Sequence, residues 1–178
     1  MTDAELAAFE ADIMAKCAEH EQSHESEDDY RACVTIESKK SKYFVKFDSS
    51  KAMWPEFLTQ SYIYDYAMRH GNGPRIAQPL HYFKSQVAPQ AFLVMEYIEL
   101  TDPSLITNLA ERTACALDWL SKVSAPPEAI SMGPSKDAIG PVGGGLIRHR
   151  FFKNYKSPVP FQTVAHLERY MNEVRRCI

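Results

Sequence analysis

Apolar positions recur with two different periods along the chain, and these periods predict its secondary structure. From Thr2 to about His20, apolar side chains are spaced three and four residues apart, which predicts a helix that begins with a T-x-x-E capping box. The same spacing predicts helices over MWPEFLTQSYIYDYAMRH, from Asp102 to Val123 and from Thr163 to Arg176. In the second of these three, Asp102 is expected to be the N-cap and Pro103 the first helical residue.

Two pairs of β-rich runs are each separated by a short polar turn, and each pair predicts a hairpin. RACVTIES and YFVKFD surround KKSK, while IAQPLHYFKS and AFLVMEYIEL surround SQVAPQ. The helix between the two pairs is expected to hold Pro55 in its first turn and to end before Gly71. This order of elements indicates an α+β fold, with a four- or five-stranded antiparallel sheet and a helix packed on it.

Three segments are expected along the chain. Residues 1–29 form a helix and an acidic loop, residues 30–100 form the β-rich lobe, and residues 101–178 form a helical extension. Residues 124–160 hold six of the 11 prolines and five of the seven glycines. Because this stretch is too long for an ordinary connection, we expect it to be functional or docked on another surface.

Composition excludes several classes of protein. Hydrophobic residues make up 45% and charged residues 24%, as in ordinary globular domains. The net charge of -3 leaves no overall positive field for a phosphate backbone, which argues against a general nucleic-acid binder. No apolar run approaches a bilayer span, and the acidic N-terminus is unlike a signal peptide. Four cysteines without a C-x-x-C pair favour a reduced, cytoplasmic location.

Two charged residues form the strongest candidate site. Lys46 lies inside the apolar run YFVKF, where a lysine must reach water or meet an anion. Glu56 lies ten residues later, near the start of the next helix, where its carboxylate can pair with Lys46. The residues alone leave open a purely structural ion pair or two unrelated surface residues. The later run LVMEY ends a strand with an acidic and an aromatic residue, which is typical of a chain leaving a core for a crevice.

This arrangement resembles the N-terminal lobe of the protein-kinase-like fold, and more specifically the aminoglycoside-phosphotransferase-like family of the fungal phosphotransferase type. The resemblance spans about Tyr30 to Ile178 and includes IGPVGGGLIRHRFFKNYKSPVPF, which is similar to a linker of that family. It implies that Lys46 contacts the α- and β-phosphates of a nucleotide and that Glu56 orients Lys46.

The resemblance also implies a site for the adenine ring at the end of the LVMEY strand. Met95 would occupy the gatekeeper position. The following residues would form a hinge whose backbone groups hydrogen-bond adenine: Glu96, Tyr97 and Ile98. ATP and Mg²⁺ are therefore the candidate cofactors.

The sequence departs from this family at the groups that perform catalysis. It contains no H-x-D, D-x-G or D-x-D motif, and no glycine-rich loop precedes RACVTIES. The chain stops at Ile178, where the catalytic loop would be expected to begin. We therefore expect a truncated kinase-like protein that acts as a non-catalytic binding or regulatory module. The alternative is a fragment or split half of an ATP-dependent small-molecule phosphotransferase.

A lobe of this kind normally buries its inner face against a C-terminal lobe. Without that lobe the face would expose an apolar patch, which usually marks an interface. We expect a protein partner or a homodimer at this face, or the terminal helix folded over it. A domain without kinase ancestry would instead leave Lys46 and Glu56 apart.

Two weaker constellations remain. Gly143, Gly144 and Gly145 precede Arg148 and could form an anion-binding nest, although no known phosphate-loop motif matches and a packed linker is favoured. The second has the spacing C-x2-H-x3-H-x8-C, whose ligand types suit zinc. Its intervals match no standard zinc finger, so a chance assembly is favoured; its members are Cys17, His20, His24 and Cys33.

Overall fold

The computed structural model describes residues 2–24, 26, 30–38, 41–124, 140–142, 145–148, 152 and 156–176. The chain forms two compact units, Met1–Lys122 and Val123–Ile178. No described helix of 18 or more residues is apolar enough to cross a bilayer.

The first unit is α+β and contains a four-stranded antiparallel sheet, which confirms the predicted class. Both predicted hairpins are present, and the strand order is β1-β2-β4-β3. Along this unit the elements are α1 (Asp3–His24), β1 (Cys33–Glu37), β2 (Lys42–Ser49), α2 (Ser50–His70), β3 (Pro79–Lys84), β4 (Gln90–Glu96), a short 3-10 helix (Pro103–Leu105) and α3 (Leu109–Ser121).

The predicted capping box begins α1. The Thr2 amide donates to Glu5 Oε2 at 2.7 Å, and the Glu5 amide donates to Thr2 Oγ1 at 3.3 Å. The helix continues one turn beyond the predicted end at His20. The reason lies in that last turn, where His24 Nδ1 donates to the His20 carbonyl at 3.0 Å and the two imidazole rings stack.

The sheet separates two apolar clusters, because successive strand residues point to opposite faces. On one face α1 packs against strand residues and contributes Ile13 and Cys17. On the other face α2 contributes Met53, which packs with Leu93 and Met95 of β4. Strand β4 therefore lies between two helices, and its central residues are buried on both faces.

Helix α2 differs from the prediction at its start. It begins at Ser50, so Pro55 lies inside the helix and not in the first turn. The Pro55 carbonyl accepts the Thr59 hydroxyl at 2.7 Å. At the other end Gly71 has a φ of 68°, and its amide donates to the Ala67 carbonyl at 2.9 Å. This left-handed cap confirms the predicted stop.

The predicted helix from Asp102 to Val123 is divided into two parts, so this prediction was wrong for its first turns. Asp102 Oδ1 accepts the Ser104 amide at 2.9 Å and caps only the 3-10 helix. Ile106 then adopts extended dihedral angles, and α3 starts at Leu109. The expected apolar face is not buried, since α3 carries no buried residue.

The second unit contains α4 (Val164–Arg176), which the sequence predicted from Thr163. The Thr163 hydroxyl accepts the His166 amide at 3.1 Å, as expected of an N-cap. Phe152 and Phe161 are buried and stack at a centroid distance of 6.1 Å, and Tyr170 of α4 packs on both rings.

Candidate functional site

The predicted partners Lys46 and Glu56 are brought together in the structure. Lys46 lies in β2 on the sheet face that α2 covers, and Glu56 lies in the second turn of α2. Lys46 Nζ donates to Glu56 Oε1 at 2.6 Å. The two side chains retain 39% and 35% of their accessible surface, so the pair lies at the border of the packed region.

Strand β1 borders this pair on the side away from β4. Helix α2 contacts β2, β3 and β4, whereas Thr35 of β1 is exposed on the same sheet face. Cys33 of β1 lies directly opposite Lys46 in the antiparallel register. Burial raises the pKa of the Cys33 thiol, and the positive charge of Lys46 partly offsets this rise. The half-buried thiol of Cys33 therefore borders Lys46 on the β1 side.

The ammonium of Lys46 has N–H donors that its contact with Glu56 does not use. An ammonium carries three N–H donors, and the contact with Glu56 uses one of them. A lysine held in this way provides a positioned positive charge, and phosphate oxygens are suitable acceptors for it. The two donors that Glu56 does not use are therefore of the type that could bind an anion.

Met95 and Glu96 lie at the end of β4. Met95 is buried in the α2-side cluster. The Glu96 amide donates to the Gln78 carbonyl at 2.9 Å, and the Glu96 carboxylate accepts from the Arg75 guanidinium and from the Gln78 amide. The Arg75 hydrogen bond, followed by that of Gln78, holds the pKa of Glu96 below its usual value of 4.5. The backbone amide of Glu96 is thus already engaged within the protein.

Arg75 and Gln78 were missed by reasoning from the sequence. They follow the helix-ending glycine and lie 21 and 18 residues before Glu96, in a stretch with no periodic pattern. Their only sequence signal is an arginine in an otherwise uncharged turn, which does not identify a partner.

Tyr97 and Ile98 continue from Glu96 outside any regular element, and both are partly buried. The Lys42 ammonium lies 4.3 Å from the centroid of the Tyr97 ring. A hydrogen bond to Glu37 raises the pKa of Lys42. Lys42 and Lys46 are four residues apart on β2, which corresponds to about 13 Å along a strand. The predicted hinge therefore lies beside the start of β2, whereas Lys46 lies near the middle of that strand.

The glycine-rich candidate is only partly described. Gly143 and Gly144 lie outside the described residues. Gly145 has a φ of 118°, a left-handed value that glycine tolerates best, and Arg148 follows three residues later in the second unit. The anion-binding nest therefore stays a prediction.

The four residues with zinc-like spacing have other roles. Cys17 is buried in the α1-side core, and burial raises its pKa to about 12. His20 Nε2 lies 3.0 Å from the Arg31 carbonyl, and His24 bonds to the His20 carbonyl. Within the described part of the chain, no three His, Cys, Asp or Glu side chains are arranged to hold a metal ion.

No protein-family model, no curated protein and no solved structure matches this chain.

Proposed function

We propose that the unit Met1–Lys122 is a kinase-like lobe that binds ATP, with Lys46 contacting the phosphates. The chain then acts as a non-catalytic binding or regulatory module. The observation that carries this proposal is the 2.6 Å contact between Lys46 and Glu56. In protein kinases a strand lysine that binds phosphates is oriented by a glutamate of the adjacent helix, and β2 and α2 supply the same two residue types.

The position of the pair supports a ligand-binding role. A lysine that served only to stabilise the fold would gain little from an ion pair that remains more than one third exposed. Phosphate oxygens would reach Lys46 from the β1 side. The segment after Glu96, beside the start of β2, provides backbone groups for a base. An extended ligand such as a nucleotide would span this distance.

We expect the chain to bind ATP without transferring its phosphoryl group, because the sequence lacks the motifs that supply the required aspartates. Phosphoryl transfer requires an aspartate to position the acceptor and a second aspartate to hold Mg²⁺. The 178 residues contain no H-x-D, D-x-G or D-x-D motif. Among the described residues, no three His, Cys, Asp or Glu side chains are grouped so that they could hold a metal ion. Mg²⁺ enters this proposal only as the counter-ion of the nucleotide phosphates.

The proposal is tested by calorimetric titration of the chain with ATP, with and without Mg²⁺. The key variant is Lys46→Ala. A matched control is Lys16→Ala, because Lys16 pairs with Asp12 at 2.8 Å and its side chain is also 39% exposed. We expect Lys46→Ala to weaken ATP binding at least about tenfold, which corresponds to about 1.4 kcal/mol, and Lys16→Ala to leave it unchanged.

Two results would contradict the proposal. One is the absence of binding heat together with an unchanged melting temperature at millimolar ATP, since a ligand that binds the folded state must stabilise it. The other is ATP binding that Lys46→Ala leaves unchanged. If binding is found, a search for turnover with an added protein fraction distinguishes the module from a split phosphotransferase.

A further inference from the structure

Strand β3 forms one edge of the sheet, with β4 as its neighbour. The Ser85 amide donates to the Gln90 carbonyl at 3.0 Å, and hydrogen-bonded pairs alternate along an antiparallel ladder. The backbone groups of Tyr82 and Lys84 must therefore point away from β4. No hydrogen bond joins these outward groups to another residue in the described part of the chain. This edge is able to pair with a further strand.

An open groove of about 430 Å³ lies between this edge and α2. Its walls include Phe57 and Tyr64 of α2 and Leu80 and Tyr82 of β3. Leu80 is 46% exposed although it is apolar. Asp65 also lines the groove, is exposed, and has no ion-pair partner among the described residues. The groove thus has a mixed polar and apolar lining that includes one acidic residue without an ion-pair partner.

We propose that this edge is a dimer interface, in which β3 pairs antiparallel with β3 of a second copy of the chain. In a register centred on Tyr82, the outward backbone groups of Tyr82 pair with those of Tyr82 in the other copy. Those of Lys84 lie opposite Leu80, which is at the register shift between Pro79 and His81. The two four-stranded sheets would then form one continuous sheet with two-fold symmetry. This surface is on β3, whereas Lys46 is on β2, so the proposal does not depend on nucleotide binding.

Charge complementarity favours a second copy over an arbitrary peptide. The Tyr82 ring packs on Phe57 at 4.9 Å, which places Tyr82 on the α2 side, and residues two apart in a strand share a side. In the proposed register, Lys84 of each copy lies opposite Leu80 of the other, beside the groove that contains Asp65. Lys84 is exposed and, like Asp65, has no ion-pair partner among the described residues.

An exposed lysine on an edge strand normally prevents pairing, because its charge would be brought against another strand without compensation. Opposite Asp65 the same lysine gains a counter-ion. The two-fold axis repeats this contact, so that each dimer contains two Lys84–Asp65 pairs. The interface therefore favours pairing with a second copy of the chain. It disfavours strands that lack a lysine at the position of Lys84.

The test is sedimentation equilibrium of the full chain over a wide concentration range, with three variants. We expect the wild type to dimerise, and Lys84→Glu or Asp65→Lys to weaken the dimer at least about tenfold, since each reversal creates two like-charge contacts. The double variant, with both charges exchanged, should recover most of the affinity. Lys51→Glu, a reversal at an exposed lysine of α2, is the matched control and should leave the dimer unchanged. Circular dichroism checks the fold of each variant.

Hydrogen exchange locates the interface independently. Raising the protein concentration should increase protection of the amides of Tyr82 and Lys84, which point outward from the sheet. A monomer at every concentration up to about 1 mM would overturn the proposal. A dimer that neither charge reversal weakens, or whose protection lies elsewhere, would overturn it equally.

Discussion

The ammonium of Lys46 lies 2.6 Å from the carboxylate of Glu56, although the two residues belong to a strand and a helix. The strand register fixes Lys46 between Cys33 and Leu93, and the packing of α2 on the sheet fixes Glu56. Because both side chains remain partly in water, this contact should contribute only about 0–1 kcal/mol to stability. We propose that the main role of this contact is to orient Lys46 for phosphate binding.

Replacing Glu56 by glutamine separates the contribution of this pair to stability from its role in orienting Lys46. We expect Glu56→Gln to lower the free energy of unfolding by less than about 1 kcal/mol, since the pair is partly exposed. The same change should weaken ATP binding, because Lys46 loses the carboxylate that orients it. Urea denaturation and calorimetric titration measure the two quantities, with Asp12→Asn at the exposed Lys16–Asp12 pair as a control. A large loss of stability with unchanged affinity would indicate a purely structural pair.

The contact between α3 and the end of α2 depends on a glycine. A Cβ atom at Gly73 would lie 2.5 Å from two ring carbons of Trp119, which also stacks edge-on against Tyr66. We expect Gly73→Ala to displace the indole and to destabilise the protein by about 1–3 kcal/mol. In a Trp54→Phe background, the fluorescence of Trp119 should shift.

Gly71→Ala is the matched control for this change. Nothing lies within 4 Å of a Cβ atom at Gly71, but its φ of 68° strains any other residue. This variant should lose about 1 kcal/mol and leave the emission of Trp119 unchanged. If Gly73→Ala also leaves that emission unchanged, the indole does not pack on Gly73 in solution.

The Glu96 cluster predicts a dependence of stability on pH. Arg75 and Gln78 lower the pKa of Glu96 in the folded state, so the folded protein binds fewer protons than the unfolded chain near this pKa. The stabilisation is therefore present above about pH 4.5 and is lost as the pH falls through the lowered value. We expect Glu96→Gln to reduce the fall in the urea midpoint between about pH 6 and about pH 3. Glu99→Gln, at an exposed neighbour, should not reduce it. An identical fall in wild type and Glu96→Gln would contradict this cluster.

The described cysteines should differ in reactivity. The thiolate is the nucleophile, so a buried thiol with a raised pKa reacts slowly. Cys115 is exposed and should be alkylated first by iodoacetamide. Cys33 is half-buried and its pKa is raised, so it should follow, whereas Cys17, with a pKa of about 12, should react only on unfolding. Peptide mass spectrometry over time measures this order. Modification of Cys17 at the rate of Cys115 in the folded protein would contradict the packing of α1.

Features that depend on a few neighbouring residues were predictable from the sequence. Both hairpins, the Thr2–Glu5 capping box and the glycine cap at Gly71 are of this kind. Lys46 and Glu56 could be paired because an apolar strand isolates the lysine and few carboxylates are near. The break at Ile106 was missed, since the Asp102 turn competes with a helix that the apolar spacing favours.

Features that depend on tertiary contacts were not predictable in the same way. The apolar stripe of α1 indicates that the helix is docked, but not on which surface. The structure places it on the sheet face opposite α2. Likewise, nothing local links Arg75 or Gln78 to Glu96, because the contact exists only once β3 and β4 have paired.

The position of α1 has a consequence for synthesis on the ribosome. Ile13 and Cys17 pack with Phe83, Phe92 and Val94, and Glu10 meets His81, 71 residues further along the chain. Helix α1 is synthesised before these residues and therefore cannot complete the packing of its apolar stripe until β4 has been translated. During that interval the nascent chain presents a partly packed apolar helix face, the type of surface that chaperones bind.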